Sequence, residues 1–465
     1  FSADAPDNHK MNHIKWIFTF FLSSFILCQD IPKNSSLYQK SLILFDIGNN
    51  WNNNTIFGPI RFHHMDKDSI KSNNHKNSKS FIGLTYNLNS NLELFGYHYV
   101  KHNNFFFYIY PRIVTNNTDF ERYTGVPRDI NRFGFNSGET DLSGVGYQNE
   151  TLLFQIGRGR ENWSAGNDIN LILSNDSPSY DYMKFQYNYG KARFVTFHGF
   201  LENKNNYNRY ITGRGIELTN KKSMVFGFSE IVIYSGLNRP IDFAYINPIS
   251  THLEIELNNR QNTLGTENGN AVWQFSNDNL IGKRLRISNN LIIDELVIDK
   301  VQLDSGKVNG LGWSSRIAYN LSNSNKVVIL YGSLTYVGTH TLRHGNGYNN
   351  FVHRNYPLGL KYGSDGYSYK LGLKYYNSEN LIFRTELGEM LIGSNSIIDD
   401  QYREYLNDYK KTSFPSGKVD NTYFVDNFLQ WDYKPKLTFL FTSKYSINKI
   451  ANDNFKFQIS IIKIL

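Results

Sequence analysis

The chain has 465 residues and one cysteine, Cys28, at the end of an apolar N-terminal stretch. A mature chain starting beyond it has no thiol, which excludes a disulfide framework, cysteine-based zinc sites and cysteine catalysis. Runs of about 18 or more apolar residues are missing beyond the N-terminus, so the chain does not read as a helical membrane protein. Runs of basic residues are missing as well. The net charge is +8, but the lysines and arginines are scattered singly, unlike the stripe that binds nucleic-acid phosphates. An anionic surface polymer suits them better, and nucleic acid is not expected as a partner.

Aromatic residues are abundant, at 15% with 32 Tyr and 34 Phe, while hydrophobic residues make up only 40% and the mean hydropathy is -0.47. Disordered chains lack aromatics. A transmembrane β-barrel reconciles the two figures, because half of each strand faces lipid, half faces a wet lumen, and aromatic girdles mark both interfaces. An Asn-rich secreted β-protein such as a solenoid is the other class this composition allows.

At the N-terminus, Met11 to Lys15 supplies a basic n-region and Trp16 to Leu27 an apolar h-region of signal-peptide length. Residues 1–28 are therefore expected to be upstream sequence plus a leader cleaved after Cys28. A lipoprotein cysteine wants a small residue before it, and this chain has Leu27. Residues 29–80 show no clear repeat and are expected to form a periplasmic or plug segment or the first strands. Residues 81–465 are expected to form the barrel.

From Phe81 onward, stretches of about ten residues alternate apolar and polar and are separated by turns. Tyr369, Leu371, Leu373 and Tyr375 point one way and Lys370, Gly372 and Lys374 the other; Met183, Phe185 and Tyr187 oppose Lys184, Gln186 and Asn188 in the same manner. Lys and Glu on one face with aromatics on the other fit a charged lumen against lipid, where an exposed Lys or Arg costs about 2–4 kcal/mol. Short turns at Tyr189-Gly190, Lys221-Lys222, Ser322-Asn323 and Lys434-Pro435 are expected at the periplasmic end. Polar segments 115–142, 202–212, 258–280, 341–366 and 393–422 are expected as extracellular loops or plugs. The strand spacing predicts an all-β transmembrane antiparallel barrel of roughly 16–20 strands, with 18 favoured. Phe455 to Leu465 is expected to close it.

The most distinctive segment is Gly157-Arg158-Gly159-Arg160-Glu161-Asn162-Trp163, followed by Leu171-Ile172-Leu173-Ser174-Asn175 and Ser177-Pro178. A second block holds Gly227 to Glu230, Arg239-Pro240 and Tyr245-Ile246-Asn247-Pro248, and a third holds His353-Arg354-Asn355-Tyr356-Pro357-Leu358-Gly359. Together these elements, in this order across about residues 145–365, resemble the Wzi-type capsule-assembly family. The resemblance implies an outer-membrane lectin that helps attach or assemble capsular or other surface polysaccharide on the cell exterior.

Sugar recognition uses aromatic rings against apolar ring faces, and arginine forks against carboxylates and hydroxyls. The candidate polysaccharide-binding residues are Arg158, Arg160, Trp163, Asn175, Arg239, Arg343, His344, His353, Arg354 and Tyr356. For each, a rim or lumen ion-pair network is the structural alternative. His340 and His344 have the i, i+4 spacing of a helical zinc pair, but they follow a strand-like stretch and lack the accompanying glutamate. Asp294 and Glu295 are adjacent in a strand pattern and so point to opposite faces, which argues against a paired-carboxylate glycosidase. No catalytic residue, metal or cofactor is expected, and the barrel is read as a monomer in contact with outer-membrane lipid. A diffusion porin or substrate-specific channel, a barrel-embedded hydrolase and an adhesin stay open as rival functions.

Overall fold

The computed structural model describes residues 31–48, 51, 54–58 and 78–465, apart from 121, 130–132, 263, 265–268, 323–325, 345–346, 378–379, 396, 399–412 and 450–452. The expected leader lies outside the described residues.

Eighteen strands form one sheet in which each pairs antiparallel with its chain neighbours. The first, Ser78–Asn87, also pairs with the last, Asn454–Ile464, placing Phe81 opposite Ile464 and closing the barrel. Closure satisfies every backbone group that an open edge would expose to hydrocarbon. Side-chain alternation sets which face is which. In the strand Tyr180–Tyr189, Met183, Phe185 and Tyr187 are exposed on the outside, while Lys184 and Gln186 are buried within. In Gly366–Asn377, Tyr369 and Leu371 face out and Lys374 is buried.

The links divide by length. Short ones such as 103–104, 190–191, 220–223 and 435–436 lie at the end that holds the start of the first strand and the end of the last. The long links 115–136, 160–179, 238–269, 296–309, 338–365 and 393–419 join strand ends at the opposite end. In outer-membrane barrels the short turns are periplasmic and the long loops extracellular. The expectation of a loop at 202–212 is corrected. The strands Ala192–Lys204 and Tyr207–Thr219 run through it, joined by Asn205-Asn206, both with positive φ, 53° and 66°. Asparagine tolerates that conformation, so a tight two-residue turn forms where polar composition alone suggested a loop. The expected loop at 258–280 is likewise shifted, because a strand opens at Asn270 and the link begins at residue 238.

The lumen is filled from both ends. Behind its Ser35 cap, the helix Ser36–Asp46 ends on a buried carboxylate: Asp46 accepts from Arg316 and Lys374 of the wall, each at 2.7 Å. Further on, the Thr55 hydroxyl and the Ile56 amide both donate to Glu217 at 2.9 Å. From the other end, link 160–179 folds inward. Its Trp163 packs edge-on against Phe57 and Phe197, with ring centroids 4.7 and 5.0 Å apart. The Ser164 amide donates to the Ile56 carbonyl at 3.0 Å and the Gly58 amide to the Asn162 carbonyl at 2.6 Å. Link 338–365 packs on top, where Leu358 accepts from the Ser174 amide at 2.8 Å and Gly359 lies so close that a Cβ would run into the Leu171 carbonyl. One apolar cluster joins N-terminal segment, loops and wall through Ile56, Phe57, Trp163, Leu171, Phe197 and Leu358.

Candidate functional site

At the loop end, Val352-His353 pairs with Tyr356-Pro357 in a miniature hairpin. Its two-residue tip is Arg354-Asn355, both with positive φ, 47° and 63°, which is the turn type that matches the twist of such a hairpin. The hairpin is pinned by His353, a buried side chain whose Nε2–H donates to the Ser179 carbonyl at 3.1 Å. Burial holds this imidazole well below the ordinary histidine range, at about 3. Arg354 itself is exposed; its backbone N–H donates to Glu202 at 3.3 Å and its guanidinium to the Thr124 carbonyl at 3.0 Å.

Arg158, next to last in the strand Leu152–Gly159, approaches the same place from the barrel rim. Its Nε donates to the Thr140 carbonyl at 2.9 Å and Nη1 lies 3.4 Å from Asp181. Between Arg158 and Arg354 is a solvent-open cleft of about 450 Å³, which Thr124, Arg128, Glu139 and Thr140 also line. Glu139 is already matched, accepting from the Thr124 amide and hydroxyl at 2.9 and 2.8 Å and lying 3.3 Å from Arg112. Among the described residues three guanidiniums therefore border the cleft, and the carboxylate that lines it, Glu139, is engaged by Thr124 and Arg112. Guanidinium forks of this kind suit carboxylates, sulfates and vicinal hydroxyls.

The other candidates lie elsewhere. Arg160 is buried and paired with Asp141. Trp163 has no exposed surface and donates its indole N–H to Glu161 at 2.8 Å. Asn175 is half-buried, and its carbonyl accepts from Arg122 at 2.5 Å. Arg343 is buried against the Ser364 hydroxyl and the Asn395 carbonyl, and the His344 amide donates to Asn350 at 2.8 Å. Arg239 is fully buried, on the outside of the barrel, against Asp242 at 3.0 Å. Tyr356 is exposed at the base of the hairpin that presents Arg354. The structure thus brings Arg158 and Arg354 together at one cleft, with His353 and Tyr356 on the hairpin that carries Arg354, and disperses the rest. Arg128 was missed, because a lone arginine in Pro127-Arg128-Asp129 carries no local signal.

His340 and His344 lie in link 338–365 and not on a helix. Among the described residues no group of three or more His, Cys, Asp or Glu side chains is placed to hold a metal. Asp294 accepts from the Leu342 amide at 2.5 Å, and Glu295 pairs with Lys307, so both carboxylates serve the rim.

No protein-family model and no curated protein matches the chain by sequence. Among solved structures it is similar to Wzi of Escherichia coli, described as an outer-membrane protein involved in group 1 capsule assembly and a carbohydrate-binding β-barrel. The TM-score is 0.64 at 11% identity, over 95% of this chain and 99% of that one. It also superposes on OprD of Pseudomonas aeruginosa with a TM-score of 0.44 at 9% identity, over 84% of this chain and 95% of that one. The chain has a Wzi-like fold. A closed 18-stranded barrel with an apolar outer band belongs in an outer membrane.

Proposed function

We propose that this barrel binds an anionic surface polysaccharide at its extracellular face and so helps attach or assemble it there, without breaking bonds and without a cofactor. The observation that carries the reading is the convergence of Arg128, Arg158 and Arg354 on one open cleft among the extracellular loops. The carbohydrate-binding barrel to which the fold is similar supports it. In this reading Arg354 and Arg158 grip carboxylate or sulfate groups, Arg128 adds charge, and Tyr356 offers a ring face to the polymer. The lumen packing of Phe57, Trp163 and Leu358 favours a binding surface over a diffusion channel.

The test is retention of the producing cell's own surface polysaccharide by the detergent-folded protein, beside an unrelated barrel. Selective, salt-sensitive retention is expected. Arg158→Ala and Arg354→Ala should each weaken it by about 1.5–3 kcal/mol, the worth of a hydrogen bond to a charged group, while the barrel stays folded. Retention by both variants equal to the parent's would remove the cleft from the proposal. Ion conductance of the parent protein in a planar bilayer, with no polymer retained, would favour a channel.

A further inference from the structure

One long link is not above the barrel but against its side. Along Tyr207–Thr219, Gly213 faces Trp163 in the lumen and Glu217 receives the plug, so Tyr210, Thr212 and Arg214 point outward. Along Met224–Leu237, Gly227 faces Ile56 of the plug, so Glu230, Val232 and Tyr234 point outward. Yet these outward residues are buried. What covers them is link 238–269, with its short helices Phe243–Ile246 and His252–Leu257. The Thr212 hydroxyl and Arg214 donate to the Tyr245 carbonyl at 3.1 and 3.3 Å. Glu230 accepts from the His252 amide at 3.1 Å and lies 3.4 Å from Arg214. Tyr245 stacks on Tyr234 at 4.3 Å, and Arg239 lies over the Tyr234 ring at 4.8 Å. The link therefore masks an ion pair on a wall where an unmasked arginine or carboxylate is costly against lipid.

Its outer side carries a run of apolar side chains, Phe243 and Ile249 each 83% exposed and Leu257 79%, with Ile241 and Leu253 about half exposed, beside an exposed Glu254–Arg260 ion pair at 2.5 Å. The same strands continue toward the periplasmic end as an exposed apolar band, with Ile216 and Leu218 on one and Phe226 and Phe228 on the next. The neighbouring link 296–309 adds Ile298 and Val301. Single exposed apolar residues are ordinary, whereas a run of them continuous with a lipid-facing wall marks an interaction surface.

We infer that residues 238–262 form a flap seated in the outer leaflet, with Ile241, Phe243, Ile249, Leu253 and Leu257 embedded in lipid hydrocarbon and the Arg214–Glu230 pair sealed beneath it. The contact is with lipid and is independent of what the extracellular cleft binds.

The experiment places a nitroxide label at single cysteines, Phe243→Cys, Ile249→Cys and Leu257→Cys, in a Cys28→Ser background of the full barrel reconstituted in phosphatidylcholine–phosphatidylglycerol vesicles. Phe228→Cys in the apolar band and Tyr356→Cys on the extracellular hairpin are the references. Collision with oxygen should exceed collision with a water-soluble nickel chelate severalfold at the three flap positions, as at Phe228, with the reverse at Tyr356. Flap labels that behave like Tyr356 overturn the inference, and so do flap labels shielded from both reagents, since a protein partner would then cover them. Should the variants fail to fold, the unaltered protein can be photolabelled from a diazirine-bearing acyl chain. Adducts in 238–262 support the flap, and adducts confined to the strands overturn it.

Discussion

Replacing Asp46 by Asn tests whether the N-terminal helix is a fixture of the lumen. The carboxylate is fully buried and holds two cations, Arg316 and Lys374, that are themselves buried in the wall. Those two charges outweigh the desolvation of the carboxyl and keep Asp46 ionised, well below the ordinary carboxylate range. Asparagine keeps the shape but removes the one carboxylate hydrogen-bonded to both cations, leaving them only the more distant Asp168, and turns an amide N–H₂ toward one of them. Removing one member of a buried pair costs about 3–5 kcal/mol. The cost falls on docking of the helix, because the barrel sheet closes through its own strands. At about 1.4 kcal/mol per factor of ten, amide exchange of Ser36–Asp46 in folded protein should quicken by roughly a hundred- to a few thousandfold. Strand amides should keep their protection, since regions of one protein open with separate free energies. Lys374→Met in the same chain removes one of the stranded cations and should restore part of the loss. Unchanged exchange of the helix in the Asp46→Asn protein would refute the reasoning, as would equal acceleration throughout the barrel.

Trp163→Ala should lower stability by about 3–5 kcal/mol, the usual cost of emptying an aromatic core site, and leave polysaccharide affinity of the folded fraction within about twofold; denaturant melts read beside binding separate this from a ring that stacks on sugar, whose loss would cut affinity with stability intact. Arg160→Ala should act in the same way, because it strips Asp141 of a buried partner; a selective loss of binding in a fully stable variant would instead return Arg160 to the binding site. The cleft should also respond to acid through His353. Its pKa is depressed in the folded state, to about 3, so the unfolded hairpin binds the extra proton first: stability from this residue is complete above about pH 6.5 and is lost as pH falls toward 3, by about 1.4 kcal/mol per pH unit. Among the described residues Glu202 is the acidic group that faces it, 4.0 Å from Nδ1, while Arg158, Arg209 and Arg354 oppose its charging. Retention should therefore hold above about pH 6.5 and weaken as the pH falls from there toward 3, and His353→Gln should flatten that profile.

Most of the barrel was legible because a strand between lipid and a lined lumen must alternate, and alternation can be read one residue at a time. Lys184 and Lys374 gave the inward face and Tyr369 and Leu371 the outward one, and each lies where its parity put it. What failed was inference from polarity. The stretch 202–212 is polar because it turns at Asn205-Asn206 and its outward Tyr210 and Thr212 donate to carbonyls of the covering link instead of facing lipid. Its Asn205-Asn206 turn needed a conformational reading of asparagine, not a compositional one. The N-terminal segment was opaque for a different reason. Its sequence has no period, since its described residues bury themselves against a lumen supplied by strands hundreds of residues away, as Lys374 is from Asp46.

The candidate site was legible in part for the same physical reason. Arginine, tryptophan and histidine are conspicuous in sequence whether they serve a ligand or a lumen, and composition cannot say which side of the wall they occupy. Parity could have excluded Arg214 from the lumen, because it stands one residue off Gly213 and three before Glu217. No periodic argument reaches into a long link, which is why Arg239 was read as a binding residue and lies instead beneath the flap on the outer wall. Arg158 and Arg354 are 196 positions apart and meet only because the hairpin of link 338–365 leans over to link 115–136, where Arg354 donates to Thr124. That meeting joins two loops that share no strand pair, so a ligand bridging Arg158 and Arg354 should also slow their separation. Amide exchange at Thr124 and in the 352–357 hairpin should fall together when polysaccharide is added, and protection of one without the other would show that the two arginines do not act on the same polymer.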